Sequence, residues 1–451
     1  MKRRLLLTCS LILSVVSCSE PKWYSVEVMT NIVPIATSVN EKVTPFNTVM
    51  KLNYCLSEEN NNDSFKEELS SYYIDEVVKY HKLFDRHYSY YDEDGKTLVV
   101  NPKTINDSYG SSTPIKCSKE LYNLLKQGVN LTLKTNGYFN FFAGELVSYW
   151  DNLISTVNNF ENEHGSYTNI KDYFNDYEPY YNEEARKKVE YLTLSTPSLE
   201  EVKNLLTFND ETLEVTFNTL DDIVLEDGTI LERSSSTSLY RPSITTGGIG
   251  KGLATDYIKQ DLISKNYTQG WLSSGSSSLT TLSDPTFGDG NKQKITLTIP
   301  ENKYPYFLTY GLSIASSKDY SISTSGNHDS GHSYTLYDDN NNVLSRRHHI
   351  INPYTGYPSE DFSTVLLFSH SFTGVELDAF STAFVNMSLK EGLEFRTELL
   401  KDTSKDLEIV FVSNLDENNN YNYYATSNFE GSLEILQDYF KEIKLWTTIS
   451  L

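Results

Sequence analysis

The chain is expected to fold as an α+β protein of mixed sheets and packed helices, on three observations. Helix-opening Ser/Thr-x-x-Glu boxes recur along it, period-2 apolar runs lie between them, and one glycine-rich turn stands directly ahead of a helix. The best marked helix is Thr373 to Met387, TGVELDAFSTAFVNM, opened by the box of Thr373 and Glu376. Beyond the box, Ala379, Phe380, Ala383, Phe384, Val385 and Met387 leave almost no polar face, the pattern of a helix buried in a core. Asp378 and Thr382 are the exceptions, at i and i+4 on one stripe. A buried carboxylate needs a cation or several donors. Two readings stand: a carboxylate and a hydroxyl serving as hard oxygen ligands of Mg²⁺, or an Asp accepting backbone hydrogen bonds from a neighbouring loop. A cleft is expected between this helix and the glycine turn.

From the beginning of the chain, residues 1–18 combine a basic start (Lys2, Arg3, Arg4), an apolar run from Leu5 to Val16 too short to span a bilayer, and a small residue before Cys18. They read as a lipoprotein signal peptide. Cys18 would be the lipidated first residue of an exported protein, anchored at the cell membrane and facing the extracytoplasmic side. Residues 19–43 read as a tether and residues 44–451 as the main domain, with a polar stretch at about 151–191 expected to be a surface insertion. The 61 Asp+Glu outnumber the 38 Lys+Arg, and the net charge of −23 argues against nucleic acid as a partner; a phosphorylated ligand would need a local cation. Cys55 and Cys117 stand beyond Cys18, and their spacing leaves pairing open; no CxxC metal pattern is present.

Pro45 to Leu56 alternates as a strand, and Glu67 to Arg86 carries Tyr73, Val77, Tyr80 and Phe84 near helical spacing. A turn-rich segment, Tyr90 to Asn101, precedes a second amphipathic helix, Ser118 to Lys134, which Asn136-Gly137 breaks. Pro197 to Leu206 is a short helix with the box Ser198/Glu201, followed by strand-like runs at Leu213 to Phe217 and Asp222 to Leu225. Toward the end, Ser388/Glu391 opens a helix over Leu389 to Lys401, Leu407 to Val412 reads as a buried strand, and Leu433 to Ile443 as a final helix.

The glycine turn is TTGGIGKGLATD, Thr245 to Asp256. Its glycines let backbone N–H groups approach an anion closely, the helix N-terminus favours phosphate, and Lys251 adds a mobile charge. A turn that only lets the helix pack against a sheet explains it equally well. The turns WLSSGSSSL (Trp271 to Leu279) and YSISTSGNH (Tyr320 to His328) are rich in small polar residues. Tyr334 to Ile351 reads as a hairpin leading into HHIINPYTG, which places His349 at a strand end, as a rigidly held functional imidazole or as a half-exposed strand histidine.

In this order the motifs FNTVMKL, TNGYF, GGIGKGLATD, SSGSSS, STSGN, HIINPYTGYP and DAFSTAF resemble the ApbE family of FAD:protein FMN transferases over roughly Thr44 to Gly431. The resemblance implies an α+β flavin transferase fold with a nucleotide cleft and an enzyme that takes FAD with Mg²⁺. Such an enzyme releases AMP and leaves FMN phosphoester-linked to a Ser or Thr of an exported acceptor protein, a post-translational flavinylation. It maps metal ligands onto Asp378, Thr382 and Gly248, and the base toward the acceptor hydroxyl onto His349. Nucleotide contacts map onto Gly247, Gly248, Lys251, Ser274, Gly275, Thr324, Ser325 and Gly326.

The chain departs from the family pattern where an Asp is usual, at Thr245 and Asn140 and often at Asn352, and around the SSGSSS turn, where Ser273 and Ser276 replace an Asn and a Gly. These changes remove carboxylates near the expected site. Other readings are an FAD pyrophosphatase with water as nucleophile, a flavin-binding lipoprotein without catalysis, and a structural surface lipoprotein.

Overall fold

Period-2 and continuous apolar runs from distant parts of the chain assemble into one sheet. The computed structural model describes residues 22–28, 31–164, 174–275, 277–284, 295–299, 308–312, 318–327, 332–338, 343–413, 423–426 and 447–449. Cys18 and the helix expected at Leu433 to Ile443 lie outside the described residues. Among those described, the largest sheet has nine strands, in spatial order β1 (Lys22–Val28), β2 (Met50–Leu56), β3 (Gly270–Ser274), β4 (Ser278–Thr281), β5 (Ser321–Gly326), β8 (Phe362–Ser369), β9 (Glu408–Ser413), β10 (Tyr423–Thr426) and β11 (Thr447–Ile449). Pairing is antiparallel throughout except between β10 and β11. A separate antiparallel hairpin joins β6 (Ser333–Tyr337) to β7 (Val343–His348). The helices used below are α1 (Asp63–Phe84), α2 (Lys119–Lys134), α3 (Gly144–His164), α4 (Glu183–Ser195), α5 (Leu199–Leu205), α6 (Gly250–Ser264), α7 (Gly374–Val385) and α8 (Leu389–Leu399).

The capping boxes read from sequence form as expected at Ser198/Glu201, Thr373/Glu376 and Ser388/Glu391, where hydroxyl and carboxylate satisfy each other's orphan amides. Helix α7 is buried on nearly every side, packed between α6 and the strands β5 and β8. All eight residues of β8 are buried, as is β9 from Glu408 to Val412, which accounts for the run LEIVFV.

Helices α6 and α7 share a Gly-x-x-x-Asp spacing, Gly252/Asp256 and Gly374/Asp378, and each aspartate serves the other helix. Asp256 accepts from the amides of Gly374 (2.8 Å) and Val375 (2.9 Å), while Asp378 accepts from the amide of Gly252 (2.8 Å). These amides belong to the first turns, where no intrahelical carbonyl is in reach. Burial pushes Asp256 up to about 7, while the two amides pull it the other way. The approach is close: a Cβ on Gly252 would overlap the Gly374 carbonyl.

Two expectations meet a different local structure. Within Pro45 to Leu56 the strand begins only at Met50. Pro45 has no N–H, the Phe46 amide is taken by His81 Nδ1 at 3.0 Å, and Phe46 and Asn47 both turn to φ 53. In the stretch read as a surface insertion, α3 and α4 bury Leu153, Ile154, Val157, Val189 and Leu192. With Trp150, Phe174, Tyr334, Leu336 and Ile351 these form a second apolar cluster. Its few aliphatics fall on the inner faces of two helices, which a low overall aliphatic content conceals. Cys55 and Cys117 are both buried and are not joined to each other.

Because the added methyl group has backbone rather than a flexible side chain in its way, Gly252→Ala is expected to lower unfolding free energy by about 1–3 kcal/mol. The urea midpoint, compared with that of Gly247→Ala, where a Cβ meets nothing within 4 Å, checks this.

Candidate active site

Asp378 stands in the polar stripe of an otherwise apolar helix, and the structure supplies it with three donors. Oδ1 accepts from Ser278 Oγ and Ser323 Oγ, each at 2.7 Å, and Oδ2 accepts from the Gly252 amide. Ser381, one turn along α7, bonds Ser323 (3.0 Å) and Ser325 (2.8 Å) and donates to the Asp378 carbonyl. The Thr382 hydroxyl donates to the same carbonyl at 3.1 Å. The hydrogen-bonded reading of Asp378 is therefore present in the structure, through hydroxyls as well as backbone.

The glycine loop closes on this stripe. A Cβ on Gly248 would lie 3.2 Å from Thr382 Oγ1 and 2.9 Å from the Phe139 ring, so only glycine leaves the cradle open. The loop is held by Thr245 N–H donating to Phe141 O (2.8 Å), and Gly250 N–H donates to Thr246 O (2.7 Å) as α6 begins. Lys251, at the second position of α6, reaches back to within 3.5 Å of the Gly247 carbonyl.

His349 follows β7 directly. Its ring meets that of His332 edge-on with centroids 5.4 Å apart, and its Nδ1 is sealed from solvent without a hydrogen-bond partner. Burial above all, then the neighbouring His348, His332 and Lys251, pushes its pKa down to about 3; a hydrogen bond with the His332 backbone opposes this. The lowered pKa favours the neutral ring at physiological pH.

These groups line one cleft of about 1430 Å³, together with Gly247, Gly275, Thr324, Ser325 and Gly326. Gly275 takes φ 59 in the β3–β4 turn, directly against Thr48, where a Cβ would overlap the Thr48 hydroxyl. Ser274 is placed differently from the sequence-based expectation: fully buried behind the wall, it bonds Thr255 Oγ1 at 3.1 Å and ties β3 to α6. Arg86 also lines the cleft, buried, with its guanidinium donating to Gly144 O (3.0 Å) and pairing with Asp151 at 3.5 Å.

Sequence reasoning missed Ser278, Ser323, Ser381 and Arg86. Strand alternation puts Ser323 and Ser325 on one face, and Ser381 lies three residues after Asp378; those two periodicities were the signal available. The two asparagines Asn140 and Asn352 use their amides as donors, to Pro197 O (3.2 Å) and Asn386 O (3.0 Å). Among the described residues, no group of three or more His, Cys, Asp or Glu converges as a metal site, and no helix is long and apolar enough to cross a membrane.

A glycine loop at a helix N-terminus, a hydroxyl-ringed carboxylate and a buried imidazole thus meet on one cleft. The chain belongs to the ApbE family, whose model matches residues 46–405. Three solved structures are similar in fold. They are the ApbE protein of Thermotoga maritima (18% identity, 89% of this chain and 96% of that one, TM-score 0.54), the flavin transferase ApbE of Vibrio cholerae (15%, 91% and 98%, 0.56) and the apo flavinyl transferase ApbE of Pseudomonas stutzeri (13%, 90% and 95%, 0.53). No curated protein matches the chain.

Burial disfavours the imidazolium of His349, so the folded state gains nothing from protonating it as pH falls through the ordinary histidine range. Its ¹H–¹⁵N side-chain resonances are expected to stay constant between pH 5 and 8, a window that begins about two units above a pKa of about 3. A midpoint near 6.5 would show the ring to be solvated.

Proposed function

We propose that the protein is an Mg²⁺-dependent FAD:protein FMN transferase. It would cleave FAD to AMP and attach FMN by a phosphoester bond to a Ser or Thr of an exported acceptor protein. The observation that carries this reading is the meeting of the glycine loop, the Asp378–Thr382 stripe and His349 on one cleft, in a chain of the ApbE family.

The residues fit a hard cation. The Asp378 carboxylate and Thr382 hydroxyl are oxygen donors, Oδ2 accepts a single hydrogen bond, and the loop at Gly248 comes within contact of Thr382. Asp378, Thr382 and Gly248 would hold Mg²⁺, which would offset the negative charge gathering on the pyrophosphate. The N-terminus of α6 with Lys251 binds the same group, in a chain whose net charge of −23 otherwise repels it. Ser325, Thr324, Gly326 and Gly275 form the wall along which the nucleotide lies.

The His349 imidazole would take the proton of the acceptor hydroxyl as its oxygen bonds to the FMN phosphorus. The phosphoanhydride bond to AMP breaks, and AMP leaves with the bonding pair. An imidazole held near 3 is neutral but a weak base, and an anionic pyrophosphate beside it raises that value when the substrate is bound. The segment 1–18 supports an anchor through lipid on Cys18, on the extracytoplasmic face of the membrane where the acceptor would be met.

Incubation with FAD, Mg²⁺ and an FMN-acceptor domain is expected to release AMP and add the mass of FMN to the acceptor, and EDTA should stop both. His349→Ala should slow transfer by about 10²- to 10⁴-fold. Thr382→Ala, which disturbs the Asp378 network less than Asp378→Ala, should raise the Mg²⁺ requirement. AMP release without a mass gain in any tested acceptor would instead favour hydrolysis, and bound FAD that is never cleaved would overturn the catalytic reading.

A further inference from the structure

The hairpin that delivers His349 is stapled by a side chain from the stretch that reads as a polar insertion. Glu178 is fully buried. Its Oε1 accepts from Arg347 Nε (3.2 Å) and Nη2 (3.1 Å), and its Oε2 accepts from the Tyr334 hydroxyl. The Arg347 guanidinium is itself buried, 5.3 Å from the ring centroids of both Trp150 and Tyr357. Trp150 donates its indole N–H to Gly356 O at 2.7 Å, fixing the turn beyond His349.

Register makes this staple relevant to the cleft. Tyr334 pairs with Arg347 and Ser333 with His348 across the hairpin, so His332 and His349 leave its end side by side. Arg347 lies in β7 two residues before His349, which follows the end of the strand; Arg347 meets the buried carboxylate and His349 lines the cleft. Without the Glu178 charge the Arg347 guanidinium stays buried with Glu360, at 3.6 Å, as its remaining carboxylate, a loss that destabilises the strand end carrying it.

We propose that Glu178 is a positioning residue for the transfer reaction: through Arg347 and Tyr334 it fixes the end of the β6–β7 hairpin and so aims the His349 imidazole in the cleft. This rests on the reading of His349 as the base. It gives the polar stretch a role in catalysis without contact with either substrate.

The test compares Glu178→Gln with the full-length parent in FAD affinity, transfer rate and the His349 side-chain NMR resonances. The expected result is FAD affinity within about twofold, a kcat lower by about 10²-fold, as a misplacement of about 1 Å costs, and displaced His349 resonances. Unchanged kcat with His349 resonances at their parental positions would overturn the proposal. So would parallel losses of FAD affinity and kcat, which mark a general structural role. Should Glu178→Gln fail to fold, Tyr334→Phe removes one hydrogen bond and keeps the ion pair; it must displace the His349 resonances, and parental positions would overturn the proposal. If the parent itself transfers no FMN, the transferase reading falls and the resonance comparison alone still decides whether Glu178 positions His349.

Discussion

The reciprocal contact between α6 and α7 is the constraint on which the cleft depends. Each helix begins with amides that have no partner of their own, and each carries, four residues past its glycine, the carboxylate that the other lacks. The arrangement brings the glycine loop and the polar stripe to the same place without a loop having to hold them there. It also needs two glycines, since the Gly374 backbone stands where a side chain on Gly252 would be and the Asp256 carboxylate where one on Gly374 would be. Taking Asp378 away would leave Ser278, Ser323 and the Gly252 amide unserved, so its role in the fold and any role in binding a cation cannot be separated by deletion alone.

The far end of α7 is tied to the other wall. Asn386, at its C-terminus, donates to the carbonyls of Tyr138 (2.9 Å) and Ile351 (3.1 Å) and accepts from Ser359 at 2.5 Å. Ile351 lies two residues beyond His349, and Asn352 returns a bond to the Asn386 carbonyl. One helix thus fixes the glycine loop at its start and the histidine loop at its end. The burial of α7 on nearly all sides is the rigidity that this double task requires.

Much of this was legible because it is local. A hydroxyl three residues before a carboxylate announces a helix start from either side, and the boxes at Ser198, Thr373 and Ser388 all formed. The order of the small-residue turns marked the cleft walls, with Ser274 alone among the expected nucleotide contacts lying behind them. Glu178 and Arg347 were not legible. They are 169 residues apart, and nothing near either in sequence signals a partner. The late start of β2 was hidden for a similar reason, since the Phe46 amide is captured by a histidine on α1, 35 residues away. Composition misled over residues 151–191, where a few aliphatics on two helix faces suffice to build a core.

The asparagines at positions 140 and 352 limit what else these two positions can hold. Each directs its NH₂ group at a backbone carbonyl, Pro197 O and Asn386 O. A carboxylate at either position would face that carbonyl with lone pairs on both sides, and would have to hold a proton or turn away. Asn140 also accepts from the Phe142 amide, and Asn352 from the Tyr354 amide, so turning away breaks a second bond. The surrounding backbone is matched to the amide, and an aspartate there would meet a structure without a place for its charge.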